Sequence, residues 1–409
     1  MALKRASLTV VLATTASVLL SPPPVPAQEM PKSVTEAKRM ESDDALPQTA
    51  FFSTPKVLST TRPGDLLSKQ GFNGYALPKG ATAVRILYHS LDADGRDVAT
   101  SGVVLLPAGA APAGGWPIIA WAHGTTGVAR ECAPSLMKDM GYGEEGLMPM
   151  VRAGFAIIAT DYHGLGTAGP HQYVNKIAQA RDVIFSIPAA RAAVPALGRR
   201  WVVDGHSQGG LAALGVAEIE SGLADTDFLG AISVAGATGL RDLLTHLEET
   251  QGVGFYLAFM GYGIHARSPE FEPADMLTPD AMQRYADATA HGCWAHGYAV
   301  YLGLATAAML KPAWTANAWV QRFFNENDTG EISVRHPLLV IAGEADVTVP
   351  ISSVRATVER ACRNGSTVTF RSYPGLDHDP TMTESTPDQL SWIRERFAAQ
   401  PFSGNCANN

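Results

Sequence analysis

The sequence has few charged residues and no run of basic ones. Only 17% of its 409 residues are Asp, Glu, Lys or Arg, and the formal net charge is −8. No helix-like segment has a basic face, so we expect no nucleic-acid partner. At 46% hydrophobic residues, the chain can bury a large core, either as one large domain with an insertion or as two domains.

Cysteine is also scarce, and no two cysteines form a C-x-x-C pair. The four are Cys132, Cys293, Cys362 and Cys406. His291 and His296 flank Cys293, but their i, i+5 spacing does not place them on one helix face, and no third ligand is evident. We therefore expect neither a metal nor another cofactor.

Long apolar runs are absent outside the N-terminus. Lys4 and Arg5 precede an apolar run over residues 6–20, and small residues near Ala27 are typical of a cleavage site. We predict that residues 1–27 are a signal peptide of a secreted or periplasmic protein, with an uncleaved anchor as the alternative. In an exported chain, four cysteines favour two disulfides, and their spacing leaves all three pairings open.

Apolar runs alternate with helix-like segments after a polar stretch at 28–60, which we expect to be an extension over the surface or partly disordered. Short apolar strands between helices indicate an α/β fold with a mostly parallel sheet covered on both faces. Strands are predicted at 84–88, 98–106, 117–121, 155–159, 201–204, 229–234, 338–341 and 368–373, and a closing helix at 389–399.

One interval interrupts this alternation. About a hundred residues between Val234 and Leu338 contain no convincing strand and are rich in aromatic residues. We predict a helical cap at 239–335, which divides the core into segments 61–238 and 336–409. Aromatic residues lining a cap would suit an apolar ligand. The alternative, that most of them form the cap's own core, stays open.

The segment Gly205-His206-Ser207-Gln208-Gly209 has the G-x-S-x-G pattern, preceded by a short apolar run and followed by a helix-like segment. A sharp turn between strand and helix exposes the serine hydroxyl above the sheet in a strained backbone conformation. The pattern is short and also occurs by chance, so the structural context carries the prediction. Ser207 is the predicted nucleophile.

A serine hydroxyl needs a base within hydrogen-bond reach, and the base needs a carboxylate that orients it. In doubly wound hydrolases these partners follow in the order Ser, acid, His, from loops after later strands. Asp346 is the predicted acid, with Glu344 as the local alternative. His378, in the loop after the last strand, is the predicted base.

An oxyanion hole requires two backbone N–H groups aimed at the developing negative charge. One is predicted from Gln208, directly after the nucleophile. The other is predicted from Thr125, in the loop after the strand at 117–121, with a one-residue slip to Thr126 as an alternative. The Thr125 hydroxyl is a possible additional donor. A plain glycine turn is the competing interpretation of this loop.

The chain resembles the secretory lipase family of α/β-hydrolases. The resemblance rests on WAHGTTG at 121–127 with CAPS at 132–135, DYHGLG at 161–166, GHSQGG at 205–210 and GEAD at 343–346, and it spans about residues 60 to 400. It implies a carboxylic ester hydrolase of the α/β-hydrolase fold with a helical cap inserted between nucleophile and acid. It also implies disulfides Cys132–Cys293 and Cys362–Cys406.

Taken together, the sequence predicts an exported serine esterase or lipase that forms an acyl-enzyme on apolar or aromatic esters. The expected partner is a small-molecule or lipid ester, with transient contact at a lipid interface as a further possibility. A peptidase or amidase with the same triad is the second hypothesis, and a non-catalytic binding protein of the same fold is the third. Acyl-chain length and oligomeric state are left open.

Overall fold

The computed structural model describes residues 30–55, 58, 60–223, 227–250 and 252–406, so the predicted signal peptide at 1–27 lies outside them. Within these ranges, nine strands form one sheet in the order β1-β2-β3-β5-β4-β6-β7-β8-β9. The strands β1 to β3 and the β3–β5 pair are antiparallel, and the other neighbours are parallel. The predicted α/β-hydrolase fold with a mostly parallel sheet is confirmed.

The strands are β1 Leu66–Phe72, β2 Thr82–Leu91, β3 Asp97–Leu106, β4 Trp116–Ala122, β5 Ala156–Thr160, β6 Leu197–His206, β7 Phe228–Val234, β8 Leu338–Gly343 and β9 Val368–Tyr373. The α-helices are α1 Val34–Asp44, α2 Met148–Arg152, α3 Lys176–Ala193, α4 Gln208–Leu223, α5 Leu240–Glu249, α6 Phe255–Arg267, α7 Pro279–Ala290, α8 Trp294–Val300, α9 Ala318–Asn327, α10 Ile351–Arg363 and α11 His378–Phe397. No helix in the described ranges combines the length and the apolar character that a membrane span requires.

The central strands are buried on both faces because successive side chains point to opposite sides of the sheet. In β4, for example, Ile118 belongs to the core under α3, α4 and α10, whereas Ile119 belongs to the core under α2 and α11. This double burial explains why the central strands read as continuous apolar runs. It also places the carboxyl ends of β4, β6 and β8, where the predicted site residues lie, at one edge of the sheet.

Five helices, α5 to α9, occupy the interval between β7 and β8, as expected for a helical insertion. Their aromatic residues pack mainly on one another. The Phe255 ring contacts those of Phe259, Trp294 and Tyr298 at centroid distances of 5.6 to 5.9 Å. For these residues, the structure agrees with the alternative that they form the cap's own core.

The polar N-terminal stretch contains a helix that the sequence did not reveal. Ala37 of α1 is fully buried against Ala295 and Ala299 of α8. The Glu41 carboxylate accepts hydrogen bonds from the backbone N–H groups of Cys293 (2.9 Å) and His296 (2.8 Å). Helix α1 therefore satisfies two free donors at the start of a cap helix, a role that local sequence patterns do not reveal.

Two disulfides are present, Cys132–Cys293 and Cys362–Cys406, which is the pairing that the family resemblance implied. The first joins the segment after the β4 loop to the start of α8 and closes a separation of 161 residues. The second joins α10 to the C-terminal segment over 44 residues. The two bridges thus constrain different parts of the molecule.

We expect each disulfide to raise the free energy of unfolding by about 2 to 5 kcal/mol, because each restricts the unfolded chain. The variant C132S/C293S should lose more than C362S/C406S, since its loop is longer. Thermal unfolding with and without a strong reductant tests this. The variant in which all four cysteines are replaced by serine controls for direct effects of the reductant. An unchanged melting temperature of the wild-type chain under reductant would contradict the prediction.

Candidate active site

The predicted nucleophile sits on a sharp turn between β6 and α4. Ser207 has φ of 56°, in the left-handed region that costs energy for any residue with a side chain. Its N–H donates to the carbonyl of Val234 (2.9 Å), and its carbonyl accepts from the N–H of Ala237 (3.0 Å). Backbone bonds to the end of β7 and to the segment that follows it therefore hold the strained residue in place.

Glycines on either side make this turn possible. A Cβ added at Gly209 would collide with the carbonyl oxygen of Ala122 at the end of β4, and one added at Gly205 would collide with the carbonyl oxygen of Gly209. The helix α4 therefore starts in direct backbone contact with the neighbouring strand. The two glycines of the G-x-S-x-G pattern are sterically required here.

The predicted acid and base are hydrogen-bonded to each other. His378 Nδ1 lies 2.8 Å from Asp346 Oδ2. The other oxygen of Asp346 accepts from the N–H groups of Thr348 (2.9 Å) and Val349 (2.7 Å), which fixes the carboxylate. The alternative acid, Glu344, is exposed and accepts from the hydroxyl of Ser372 instead.

His378 is the first residue of α11, and its N–H donates to Asp377 Oδ1 (2.8 Å). Its ring lies 4.6 Å from that of His206, the residue before the nucleophile. His378 Nε2 is buried and has no hydrogen-bond partner among the described residues, so the bond to Ser207 is not formed in this structure. Catalytic hydrogen bonds commonly tighten only when substrate binds.

The two neighbouring histidines have opposite pKa shifts. Burial opposes the charged form of His378, but the negative charges of Asp346, Asp379 and Asp377 outweigh it and raise its pKa to about 9. Burial, together with the nearby His378, lowers the pKa of His206 to about 4. The site therefore favours a positive charge on one ring and a neutral form of the other.

An apolar cavity of about 40 Å³ opens beside Ser207. None of its lining residues carries a charged side chain. The lining consists of Thr125, Tyr173, Val174, Ser207, Gln208, Ala237, Leu240, Leu243, Leu244, Tyr256, Met260, Thr348 and Val349. Tyr256, an aromatic residue of α6, is part of this lining.

Both predicted oxyanion residues line the same cavity. The Thr125 hydroxyl is hydrogen-bonded to the hydroxyl of Tyr173 at 2.7 Å. Tyr173 would therefore compete with an oxyanion for the Thr125 hydroxyl as a hydrogen-bond partner. The Gln208 side chain lies with Nε2 at 3.3 Å from His171 Nε2. His171 Nδ1 lies 3.0 Å from the carbonyl of His163, which can only accept, so Nδ1 carries the proton and Nε2 accepts from Gln208.

Asp161 and His163, in the segment at 161–166, form hydrogen bonds with His123 and His171. The Asp161 carboxylate is buried and accepts from the hydroxyls of Ser101 (2.6 Å) and Ser135 (2.5 Å), and the Asp161 carbonyl lies 3.1 Å from His123 Nε2. The His163 carbonyl holds His171 as described above. Sequence reasoning did not identify His171 or Tyr173 at the site. It also missed Tyr142, whose hydroxyl oxygen accepts from the N–H of Gly124 (2.9 Å). The contacts of all three residues join segments that are distant in the chain.

Among the described residues, His206, His378 and Asp379 form the one group that could hold a metal, with ligand atoms within 4.8 Å of one another. His378 Nδ1 is already engaged by Asp346. His296, which the sequence placed beside Cys293, instead lies 3.2 Å from Asp287 through Nε2.

Comparison with known proteins gives a consistent result. A family model described as secretory lipase matches residues 139–405, a range that includes Ser207, Asp346 and His378 but begins after the Thr125 loop. The chain is 22% identical over 392 residues to the secreted triacylglycerol lipase LIP7 of Malassezia globosa, covering 88% of this chain and 81% of that protein.

Two solved structures have the same fold. Candida antarctica lipase A superposes with a TM-score of 0.73 at 16% identity, over 89% of each chain. The rice cell wall degrading esterase LipA from Xanthomonas oryzae superposes with a TM-score of 0.70 at 17% identity, over 83% of this chain and all of that one. At these identities the likeness concerns the fold.

The contact between α4 and β4 can be tested by G209A. We expect this change to abolish ester hydrolysis and to cost more than about 3 kcal/mol of stability, because the added methyl group meets backbone that cannot move aside. G222A is the matched control in the same helix: an added Cβ there meets nothing within 4 Å. It should be neutral or stabilising by about 0.5 kcal/mol. Urea unfolding measures the free energy of unfolding of both variants. Equal changes in G209A and G222A would refute the prediction.

The pKa of His378 predicts an alkaline pH profile. A general base must be neutral in the free enzyme, so activity is lost as the pH falls through its pKa. We expect the acid limb of kcat/KM to have its midpoint above the ordinary histidine value of about 6.5, towards the value of about 9 set by the surrounding carboxylates.

The variant D379N should move this midpoint to lower pH, because Asp379 is one of the charges that raise the pKa of His378. D388N is the matched control, because it also removes one negative charge from α11. The carboxylate of Asp388 contacts Tyr373 and Arg371. The measurement is kcat/KM against pH for the three proteins. Identical midpoints would show that Asp379 does not act on the base.

Proposed function

Because the chain belongs to the secretory lipase family and is a carboxylic ester hydrolase, we propose that it acts through an acyl-enzyme formed on Ser207. The observation that supports this most strongly is the 2.8 Å bond between Asp346 and His378, with the His378 ring beside the strained turn that carries Ser207. His378 is the general base and acid, and Asp346 orients it.

In the first half of the reaction, Ser207 Oγ attacks the ester carbonyl carbon while His378 Nε2 takes its proton. The N–H groups of Gln208 and Thr125 donate to the oxyanion that develops. The bond to the alkoxy oxygen then breaks, and the imidazolium of His378 delivers the proton to the leaving alcohol. The negative charges that raise the pKa of His378 stabilise this imidazolium.

In the second half, a water molecule attacks the acyl carbon and gives a proton to His378. The tetrahedral intermediate collapses by breaking the bond to Ser207 Oγ, which regains the proton from His378. The products are the carboxylic acid and the free enzyme, so every atom and proton is accounted for without a further reactant.

We propose that the substrates are esters with uncharged, apolar groups of moderate size. The cavity beside Ser207 is lined by leucine, methionine, valine and tyrosine side chains and by no charged one. At about 40 Å³ the cavity is smaller than most ligand pockets, which favours short and medium acyl chains over long ones. Malassezia LIP7 is described as a triacylglycerol lipase, so a lipid ester is the corresponding natural class.

We propose export as well. The relatives of this family include secreted lipases, and the N-terminal sequence has the features of a signal peptide. Two disulfides in the described part of the chain suit an oxidising compartment.

The specificity constant on p-nitrophenyl esters from acetate to palmitate tests the proposal. We expect a maximum between butyrate and octanoate and a roughly 10⁴- to 10⁶-fold loss of kcat in S207A. The matched control is S53A, which removes an exposed hydroxyl that does not line the cavity and should leave the rates unchanged. A maximum at palmitate would refute the proposed acyl size without affecting the proposed nucleophile.

The competing functions have their own controls. A p-nitroanilide matched to the best ester should be hydrolysed far more slowly, and the reverse preference would identify an amidase. A fluorophosphonate probe should label the wild-type protein at Ser207. Absence of both labelling and Ser207-dependent turnover would instead support a non-catalytic binding protein.

A further inference from the structure

The hydroxyl of Tyr142 lies between the oxyanion loop and the nucleophile turn. Its oxygen is 2.9 Å from the backbone nitrogen of Gly124 and 3.0 Å from His206 Nδ1. On the other side of the ring, His206 Nε2 is 3.4 Å from the backbone carbonyl oxygen of His378. One chain of hydrogen bonds therefore connects the loop before Thr125, the residue before Ser207 and the residue that serves as base.

The direction of each bond follows from the groups at the two ends. A backbone N–H can only donate, so the Tyr142 oxygen accepts from Gly124, and its own proton is directed to His206 Nδ1. A carbonyl can only accept, so His206 Nε2 carries a proton and donates to His378. The carbonyl of His378 therefore fixes the proton of the neutral His206 ring on Nε2, which leaves Nδ1 as the acceptor for the proton of the Tyr142 hydroxyl.

The surroundings fit this arrangement. Burial keeps the pKa of His206 low and raises the pKa of Tyr142, so the imidazole stays neutral and the phenol keeps its proton. The Tyr142 ring packs edge-on against Trp121 at 5.1 Å. A Cβ at Gly124 would collide with the Tyr142 hydroxyl, so glycine at this position makes room for the bond.

We propose that Tyr142 and His206 are positioning residues, which hold the oxyanion loop and His378 in register on either side of Ser207. The inference rests on the proposed function, since it concerns the geometry of that triad and oxyanion hole. The Tyr142 hydroxyl sets the tautomer of His206, and that tautomer lets one ring bridge the tyrosine and the backbone of the base.

The kinetic test is Y142F. We expect kcat for the best p-nitrophenyl ester to fall about 10- to 100-fold with KM changed less than about threefold, because a small misplacement of catalytic groups costs rate rather than binding. The matched control is Y162F, whose hydroxyl bonds the carbonyl of His123 in the same loop (3.2 Å) but does not contact His206. It should keep kcat within about twofold.

The double variant Y142F/H206F should fall no further than the more impaired single variant, because both changes break the same chain. Equal kcat losses in Y142F and Y162F would overturn the proposal, as would losses that multiply in the double variant.

A readout without substrate separates this proposal from the proposed function. Imidazole ¹⁵N NMR of the wild-type protein, with His206 assigned through H206F, should show the tautomer protonated on Nε2 at pH 7. In Y142F, His206 should leave this single tautomer or titrate at higher pH, whereas Y162F should keep it. A wild-type His206 protonated on Nδ1 would overturn the proposal even if Y142F failed to fold. If the wild-type protein showed no Ser207-dependent turnover, that result would refute the proposed function alone.

Discussion

The backbone turn at Ser207 is the constraint on which the rest of the site depends. A residue with a side chain is held at positive φ, between a strand and a helix that starts in contact with the neighbouring strand. This arrangement tolerates only glycine at 205 and 209, and backbone bonds from the segment after β7 hold it. Because the turn rises above the carboxyl edge of the sheet, the loops after β4 and β8 can reach the same serine.

The cap is joined to the predicted oxyanion loop at 123–127 by direct contacts. The N–H of Trp294 donates to the carbonyl of Thr126 (2.9 Å), next to the Cys132–Cys293 disulfide. Glu41 of α1 binds the same end of α8. Apolar residues of α5 and α6 line the cavity beside Ser207.

Sequence patterns predicted those parts of the structure that depend on neighbours in the chain. Continuous apolar runs identified eight of the nine strands in the described residues. Strand-end context selected Ser207, Asp346 and His378. The structure joins the last two by a hydrogen bond and places the His378 ring beside that of His206, the residue before Ser207. Strand β1 was not predicted, because it is a half-exposed edge strand of mixed polarity. The closing helix begins at His378 rather than at 389, since its first turns are polar and lack apolar periodicity.

The features that were missed depend on contacts across the chain. Helix α1 owes its stability to Ala37 and Glu41 packing on the cap, and a polar 11-residue segment gives no local sign of that. Tyr142 likewise lies in a loop whose sequence has no recognisable pattern. Its hydroxyl acquires a role only because the fold places it between Gly124 and His206.

The adjacent rings of His206 and His378 show why such a contact is needed. At a centroid separation of 4.6 Å, two imidazolium ions would repel strongly in a buried site. In the proposed mechanism His378 becomes positive during the reaction, so its neighbour must stay neutral. Burial alone disfavours charge on both rings, and three carboxylates reverse that for His378. A hydroxyl that donates to His206 Nδ1 occupies the position where a second proton would bind, and so preserves the difference between the two rings.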